Sequence, residues 1–287
     1  MTQQLQDTTG HALRQRLAAA KRIVIKLGTQ VVLDAEGRPA LSRLYGLMES
    51  IAALRSRGAQ PLLVSSGAVG LGARQLGIQP EGLVQKQACA AVGQGQLMGI
   101  YQEGFGRLGF SAAQVLLTED DFADPTRHAN LRHTLETLLE LGAVPILNEN
   151  DTVSTLELER PGPGPRPIFS DNDHLSALVA THLQADLLVL LSDVSALYTG
   201  NPALHPDAIP VMNVPFEAEL EVDLEGTSSR GRGGMHSKVE AARCAARGGV
   251  PVVLASGHLL RILDHILAGN PVGTLFHAAP KGASHAR

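Results

Sequence analysis

Two lysines in unusual company carry the first chemical signal in this 287-residue chain. Lys26 stands at the end of the apolar run "RIVIKL" (22–27), with Gly28 and Thr29 just beyond it. An ammonium in such a run is costly unless it is paired or snorkels at a strand edge. A following glycine lets backbone amides approach a ligand, and a lysine beside such amides suits a phosphate. Lys238 closes "GRGGMHSK" (231–238), which places Arg232, Gly233, Gly234, Met235, His236 and Ser237 ahead of it. This is not a Walker loop. G-x-x-x-x-G-K-(S/T) puts the lysine after a glycine and a hydroxyl after the lysine, whereas Ser237 here precedes Lys238. The stretch is either a nucleotide loop of another design or a flexible turn.

Further polar clusters follow other apolar runs. "SSGAVGLG" (65–72) carries Ser66 and Gly67 between an apolar run and a helical pattern. That order offers a hydroxyl and free amides at a helix N-terminus, where an anion is favoured, or else a tight turn with no ligand. "NEND" (148–151) and "SDNDH" (170–174) mix amides with carboxylates. Asn148 and Asn172 suit a ligand's carboxylate or amino group, while Asp151 and Asp173 suit an ammonium, a metal or lysines. As turn formers the same residues also suit surface turns. Ser192 and Asp193 end another apolar run.

Several chemistries are unsupported. G-x-S-x-G is absent, so there is no serine-hydrolase elbow. His128 and His133 are five residues apart and fall on different helical faces. Cys89 and Cys244 are the only cysteines, without a C-x-x-C pair. They read as thiols of a core that needs no staple, and a structural zinc site is not expected.

The elements that must position these residues follow a regular rhythm. Strand candidates are 22–27, 61–65, 112–118, 143–148, 186–192 and 250–255, nearly uniformly apolar, as suits strands covered on both faces. Amphipathic stretches at 41–58, 126–142 and 237–249 read as helices, each stopping at a glycine. The alternation implies an α/β fold, a mostly parallel sheet between helices. In such folds ligands bind beyond the carboxyl ends of the strands, which is where the polar clusters fall. "ERPGPGPRP" (159–167) reads as an exposed loop or hairpin tip, and the last residues after about Ala278 as frayed.

Composition narrows the partners. A hydrophobic share of 44% with 18% charged residues is that of a globular chain. A net charge of -4, 3% aromatics and no tryptophan argue against a nucleic-acid partner. The polar N-terminus lacks a signal core, and no uncharged apolar run is long enough to span a membrane. The expectation is a soluble, cytoplasmic protein.

Taken together, the clusters resemble the amino-acid kinase family, and within it the branch that phosphorylates the side-chain carboxylate of glutamate. The match runs through "VIKLGTQVV", "LLVSSGAVGLG", "KQACAAVGQGQLM", "VPILNENDTV", "SDNDHLSALVA", "LLSDVSALYTGNP", "GRGGMHSKVEAA" and "NPVGTLFHA", essentially the whole chain after about residue 20. The resemblance implies a three-layer αβα sandwich, the carbamate kinase-like fold. It also implies one kinase domain over 21–278, with an N-terminal extension (1–20) and a C-terminal tail (279–287). The first part of the domain would bind glutamate and the second ATP. By position, Lys26 and Lys238 resemble the two phosphate lysines, and Asp173 the aspartate that holds them. Ser66, Gly67, Asn148, Asp151 and Asn172 resemble the substrate contacts. Gly28, Thr29, Ser192, Asp193 and the stretch from Arg232 to Lys238 resemble the nucleotide contacts.

No protein ligand to a metal is implied; magnesium would ride on ATP. The resemblance further implies a dimer or tetramer, a downstream glutamate-5-phosphate reductase in proline biosynthesis, and L-proline as a possible inhibitor. Gln30, Ser170 and Arg232 depart from the family pattern, as does the long 159–167 segment beside the expected glutamate site. The C-terminal RNA-binding-like domain of many relatives is not expected here. Two other readings remain at this stage: a family member acting on another acceptor such as N-acetylglutamate, and a catalytically silent ligand-binding regulator.

Overall fold

A computed structural model describes residues 10–153, 171–218 and 234–280. Among these residues the main sheet has eight strands, in the order β3-β4-β2-β1-β5-β9-β10-β8. They are β1 (Arg22–Leu27), β2 (Gln60–Ser65), β3 (Ala112–Leu117), β4 (Val144–Glu149), β5 (Leu187–Ser192), β8 (Asn213–Val214), β9 (Val252–Ser256) and β10 (Thr274–Phe276). All neighbours pair in parallel except β10 with β9. β6 (Leu197–Tyr198) and β7 (Pro210–Val211) form a separate small ribbon.

Both faces of the sheet are covered, and the apolar strand sequences are the reason. Along β1, Ile23, Ile25 and Leu27 enter one core cluster while Val24 enters the other. Along β5, Leu187, Val189 and Leu191 face the first cluster, and Leu188 and Leu190 the second. A strand buried on both sides needs apolar residues at every position, which erases the alternation of a half-exposed strand. The first layer comprises α1 (Thr29–Val32), α2 (Leu41–Ser56), α3 (Ala68–Leu76), α4 (Gly82–Arg107) and α9 (Ile262–Leu267). The opposite layer is built chiefly from α6 (Pro125–Glu140), α7 (Asn172–His182) and α8 (Met235–Arg247), with short α5 (Asp120–Ala123) leading into α6.

Some expectations needed correction. β3 is an edge strand with Gln114 and Leu116 exposed, so it is not covered on both faces as its composition suggested. The chain from Met235 is already helical, so Met235, His236 and Ser237 belong to the first turn of α8 and not to a loop. Cys89 is buried, whereas Cys244 is only partly so, and both are free thiols. Near the start, residues 10–16 are helical and Leu17 enters the core. The buried Arg14 there donates to Met212 O at 2.7 Å and to Val272 O and Gly273 O at 2.9 Å. Arg232, Gly233, Ser170 and the segment 159–167 lie outside the described residues.

Candidate active site

Strand order decides where the polar clusters meet. β1 lies between β2 and β5, the point at which successive connections leave to opposite sides, and ligands bind in the crevice such a point opens. The register puts Lys26 beside Val64, Leu27 beside Ser65 and Leu191, and Ser192 beside Ser256. The carboxyl ends of β1, β2 and β5 therefore deliver Gly28, Ser66 and Ser192 to one edge. Asn148 and Glu149 are the last two residues of β4 on the same edge, and both are buried.

Asp173 organises the centre. It sits in the first turn of α7 and is 1% exposed. Lys26 Nζ lies 2.7 Å from its Oδ1, and Lys238 Nζ 3.0 Å from its Oδ2. Both lysines are nearly sealed from solvent, at 5% and 7% exposure. Two ammonium groups thus converge on one buried carboxylate, and positive charge gathered in a low-dielectric setting favours an anion beside it. The snorkelling alternative for Lys26 fails, because its tip ends in a buried ion pair.

A second network adjoins the first. Asn172 Nδ2 donates to Asn148 Oδ1 at 3.0 Å and to Ser66 Oγ at 3.3 Å. Asn148 in turn donates to Gln94 Oε1 at 2.9 Å and accepts the Glu149 N–H at 2.9 Å. Asp151 is buried just past β4. Surface turns do not describe these residues, which the fold draws together from β2, β4 and α7. Gly67, between Ser66 and α3, has φ +106, a backbone state that L side chains rarely adopt. Beneath it Ser65 Oγ meets the Tyr101 hydroxyl at 2.7 Å, and burial pushes that phenol well above its usual range despite the bond.

On the nucleotide side, Gly28 caps α1, and its own N–H is committed to Leu191 O at 2.9 Å. Thr29 opens α1, ahead of Val31 and Val32, whose N–H groups donate to Gly28 O at 2.9 and 3.1 Å. Ser192 Oγ donates to Asp193 Oδ1 at 2.9 Å, and Asp193 is exposed. Gly234 precedes α8, Met235 is partly buried, and His236 turns outward at 69% side-chain exposure, 3.4 Å from Glu240. No group of three or more His, Cys, Asp or Glu suited to a metal ion occurs among the described residues.

Sequence reasoning passed over Gln94, Tyr101 and Asp171. Asp171 caps α7 by accepting the His174 N–H at 2.9 Å, and its other oxygen accepts the Ser237 hydroxyl. Burial opposes its ionisation. The His174 ring, the Ser237 hydroxyl, the His174 N–H and the charge of Lys26 nevertheless hold it well below the usual carboxylate range. Its place inside "SDNDH" was the available signal. Gln94 and Tyr101 lie on α4, far along the chain from their partners, and no local pattern marks them.

A buried lysine pair at the carboxyl edge of a doubly covered sheet, without a Walker loop in the sequence, forms a cation centre suited to an anionic ligand. Comparison with known proteins narrows the class. The amino acid kinase family matches residues 21–256, and the chain belongs to that family. Glutamate 5-kinase of Symbiobacterium thermophilum is 45% identical over 267 residues, covering 92% of this chain and 98% of that protein. Delta-1-pyrroline-5-carboxylate synthase of Solanum lycopersicum is 44% identical over 278 residues, covering 92% of this chain and 38% of that protein. Among solved structures, UMP kinase from Bacillus anthracis superposes with a TM-score of 0.58 at 15% identity over 91% of this chain and 97% of that one. That likeness bears on the fold alone.

Proposed function

We propose that the chain transfers the terminal phosphoryl group of ATP to the side-chain carboxylate of L-glutamate, forming L-glutamate 5-phosphate in the first step of proline biosynthesis. The observation that carries this reading is the buried bridge Lys26–Asp173–Lys238 beside the Asn172–Asn148–Ser66 network. Glutamate 5-kinases at 43–47% identity over at least 91% of the chain support the acceptor.

The chemistry asks little of the protein beyond position and charge. A glutamate side chain with a pKa near 4.3 is about 500-fold more ionised than protonated at pH 7, so it attacks phosphorus without a general base. One carboxylate oxygen forms the new bond to phosphorus while the bond to the bridging oxygen breaks and its electrons leave on ADP. Lys26 and Lys238 neutralise charge on the moving group, and Asp173 fixes both ammonium tips. Ser66, Gly67, Asn148, Asp151 and Asn172 hold glutamate in line. Gly28, Thr29, Ser192, Asp193 and the first turn of α8 receive the nucleotide. Magnesium carried on ATP would supply further charge neutralisation beside Lys26 and Lys238.

The proposal extends to a single kinase domain over 21–278, a cytoplasmic location and a homo-oligomer. An acyl phosphate is prone to hydrolysis, which favours a downstream reductase that consumes it, and L-proline would compete at the glutamate pocket. An ADP-release assay with ATP and magnesium, with and without glutamate, tests the reading. Glutamate-dependent ADP release is expected; transfer to N-acetylglutamate and not to glutamate, or ligand binding without turnover, would overturn it.

A further inference from the structure

Asp171 joins the first turns of two helices that also meet through the Asp173–Lys238 ion pair. One oxygen caps α7 at the His174 N–H, and the other accepts the hydroxyl of Ser237 in α8. Asn172 and Asp173 follow Asp171 directly, and Lys238 follows Ser237. Gly234, the residue that caps α8, offers no side-chain bond of its own. Asp171 is 7% exposed, so water competes weakly for the contact.

We propose that Asp171 and Ser237 form a latch that positions Lys238 for phosphoryl transfer, the hydroxyl being the part of Ser237 that matters. This rests on the reading of Lys238 as a phosphate lysine. Asp173 anchors the tip of that long side chain, but an anchored tip does not fix the backbone that carries it. The latch does, by tying the first turn of α8 to the helix that bears Asp173. A misplacement of about 1 Å at a reacting centre costs on the order of a hundredfold in rate. Asp171 touches no reacting atom and the Ser237 hydroxyl is spent on it, so both are positioning residues; what Ser237 offers the nucleotide is its backbone. The ionised state of Asp171 suits the role, since a carboxylate offers both oxygens as acceptors.

The test is a double-mutant cycle of S237A, D171A and both together, with S237T as the conservative control. Asp171→Asn, which can still cap α7, replaces D171A if that variant does not fold. S237A should lower kcat by about ten- to a hundredfold, the loss expected for a hydrogen bond to a charged partner, with the glutamate KM within about twofold. S237T should restore kcat, and the double variant should be no slower than D171A. Normal turnover in S237A, equal loss in S237A and S237T, or additive losses would overturn the latch. ATP affinity, measured by calorimetry without acceptor, separates this from the substrate reading. A parent chain that binds ATP but transfers nothing to glutamate overturns that reading alone. The latch then stands if S237A weakens ATP binding and S237T does not, and falls if S237A binds as the parent does.

Discussion

Asp173 and Lys26 form a nearly sealed ion pair, Oδ1 to Nζ 2.7 Å, between the first turn of α7 and the end of β1. Its second oxygen holds Lys238, so a single carboxylate sets the spacing of two ammonium groups. Replacing either lysine by alanine should lower kcat by about 10² to 10³, as for other preorganised electrostatic donors. Single-turnover kinetics with saturating ATP and glutamate checks it, and near-normal turnover in Lys26→Ala or Lys238→Ala would remove the mechanism.

Asp173→Asn keeps the shape and discards the charge. Two buried lysines then lose the carboxylate that both of them contact, and breaking a buried pair in this way costs about 3–5 kcal/mol. Bound ATP supplies the missing negative charge. The variant should therefore melt well below the parent without ligand and recover more of its Tm than the parent does when ATP is added. Equal ATP-induced shifts in the two proteins would contradict this.

Gly93 on α4 faces α3 at a separation that leaves no room for a side chain: an added Cβ would stand 1.8 Å from Ala68 O. Gly72 faces Cys89 O with the same 1.8 Å clearance. Because α3 begins at Ala68, prying the helices apart moves Ser66 and Gly67 with it. Gly93→Ala should destabilise by about 1–3 kcal/mol, the usual cost of overpacking, and raise the glutamate KM more than the ATP KM. Denaturant unfolding and steady-state kinetics read the two effects.

Arg14 binds four backbone carbonyls near β10 and the residues leading into β8, the one on Asn270 at 3.5 Å being the longest. Arg14→Ala leaves those acceptors without the charged donor, for a loss on the order of 3 kcal/mol. Arg14→Lys should recover little of it, because an ammonium cannot reproduce the planar fork. Chemical denaturation gives the magnitude. Turnover at a temperature where both variants stay folded should match the parent, since Arg14 lies away from the reacting groups.

His174 gives the stability a pH signature. Its Nδ1 lies 3.6 Å from Asp171 Oδ1; that contact and the carboxylate's charge raise its pKa above the ordinary histidine value, against the opposing effect of burial. A raised folded value favours the protonated form in the fold. The contribution is full below the unfolded pKa of about 6.5 and fades as pH rises through the raised value. The Tm difference between the parent and His174→Gln should thus shrink above about pH 6.5. A constant difference through that range would contradict it. Asp171, depressed in the fold, acts oppositely: its contribution is present above about pH 3.9 and is lost as pH falls toward the depressed value.

Six strands are readable in the chain because burial on both faces demands apolar runs, and each recurs in the structure within two residues of its expected start. β10, of three residues, and β8, of two, are too short to leave a pattern, and only pairing to β9 and to each other defines them. Composition also concealed the edge position of β3, since an apolar run does not encode which neighbour it lacks. In the site, lysine, amide and carboxylate clusters stood out as polar residues terminating apolar runs. Gln94 and Tyr101 did not, because a polar residue on a long helix looks the same whether it meets solvent or a buried partner.

The sequence by itself determined the βα alternation, the positions of the polar clusters and the resemblance to the amino acid kinases, because each is written in local composition and spacing. The resemblance already implied that Asp173 holds both lysines; the tertiary structure supplied the contacts themselves, and it alone decided that Asp171 reaches Ser237. Those partners come from β1, α7 and α8, and their meeting depends on strand order and on how two helices pack over the same sheet face. Local spacing carries no record of such contacts. They exist only once burial of the apolar faces has fixed which segments become neighbours.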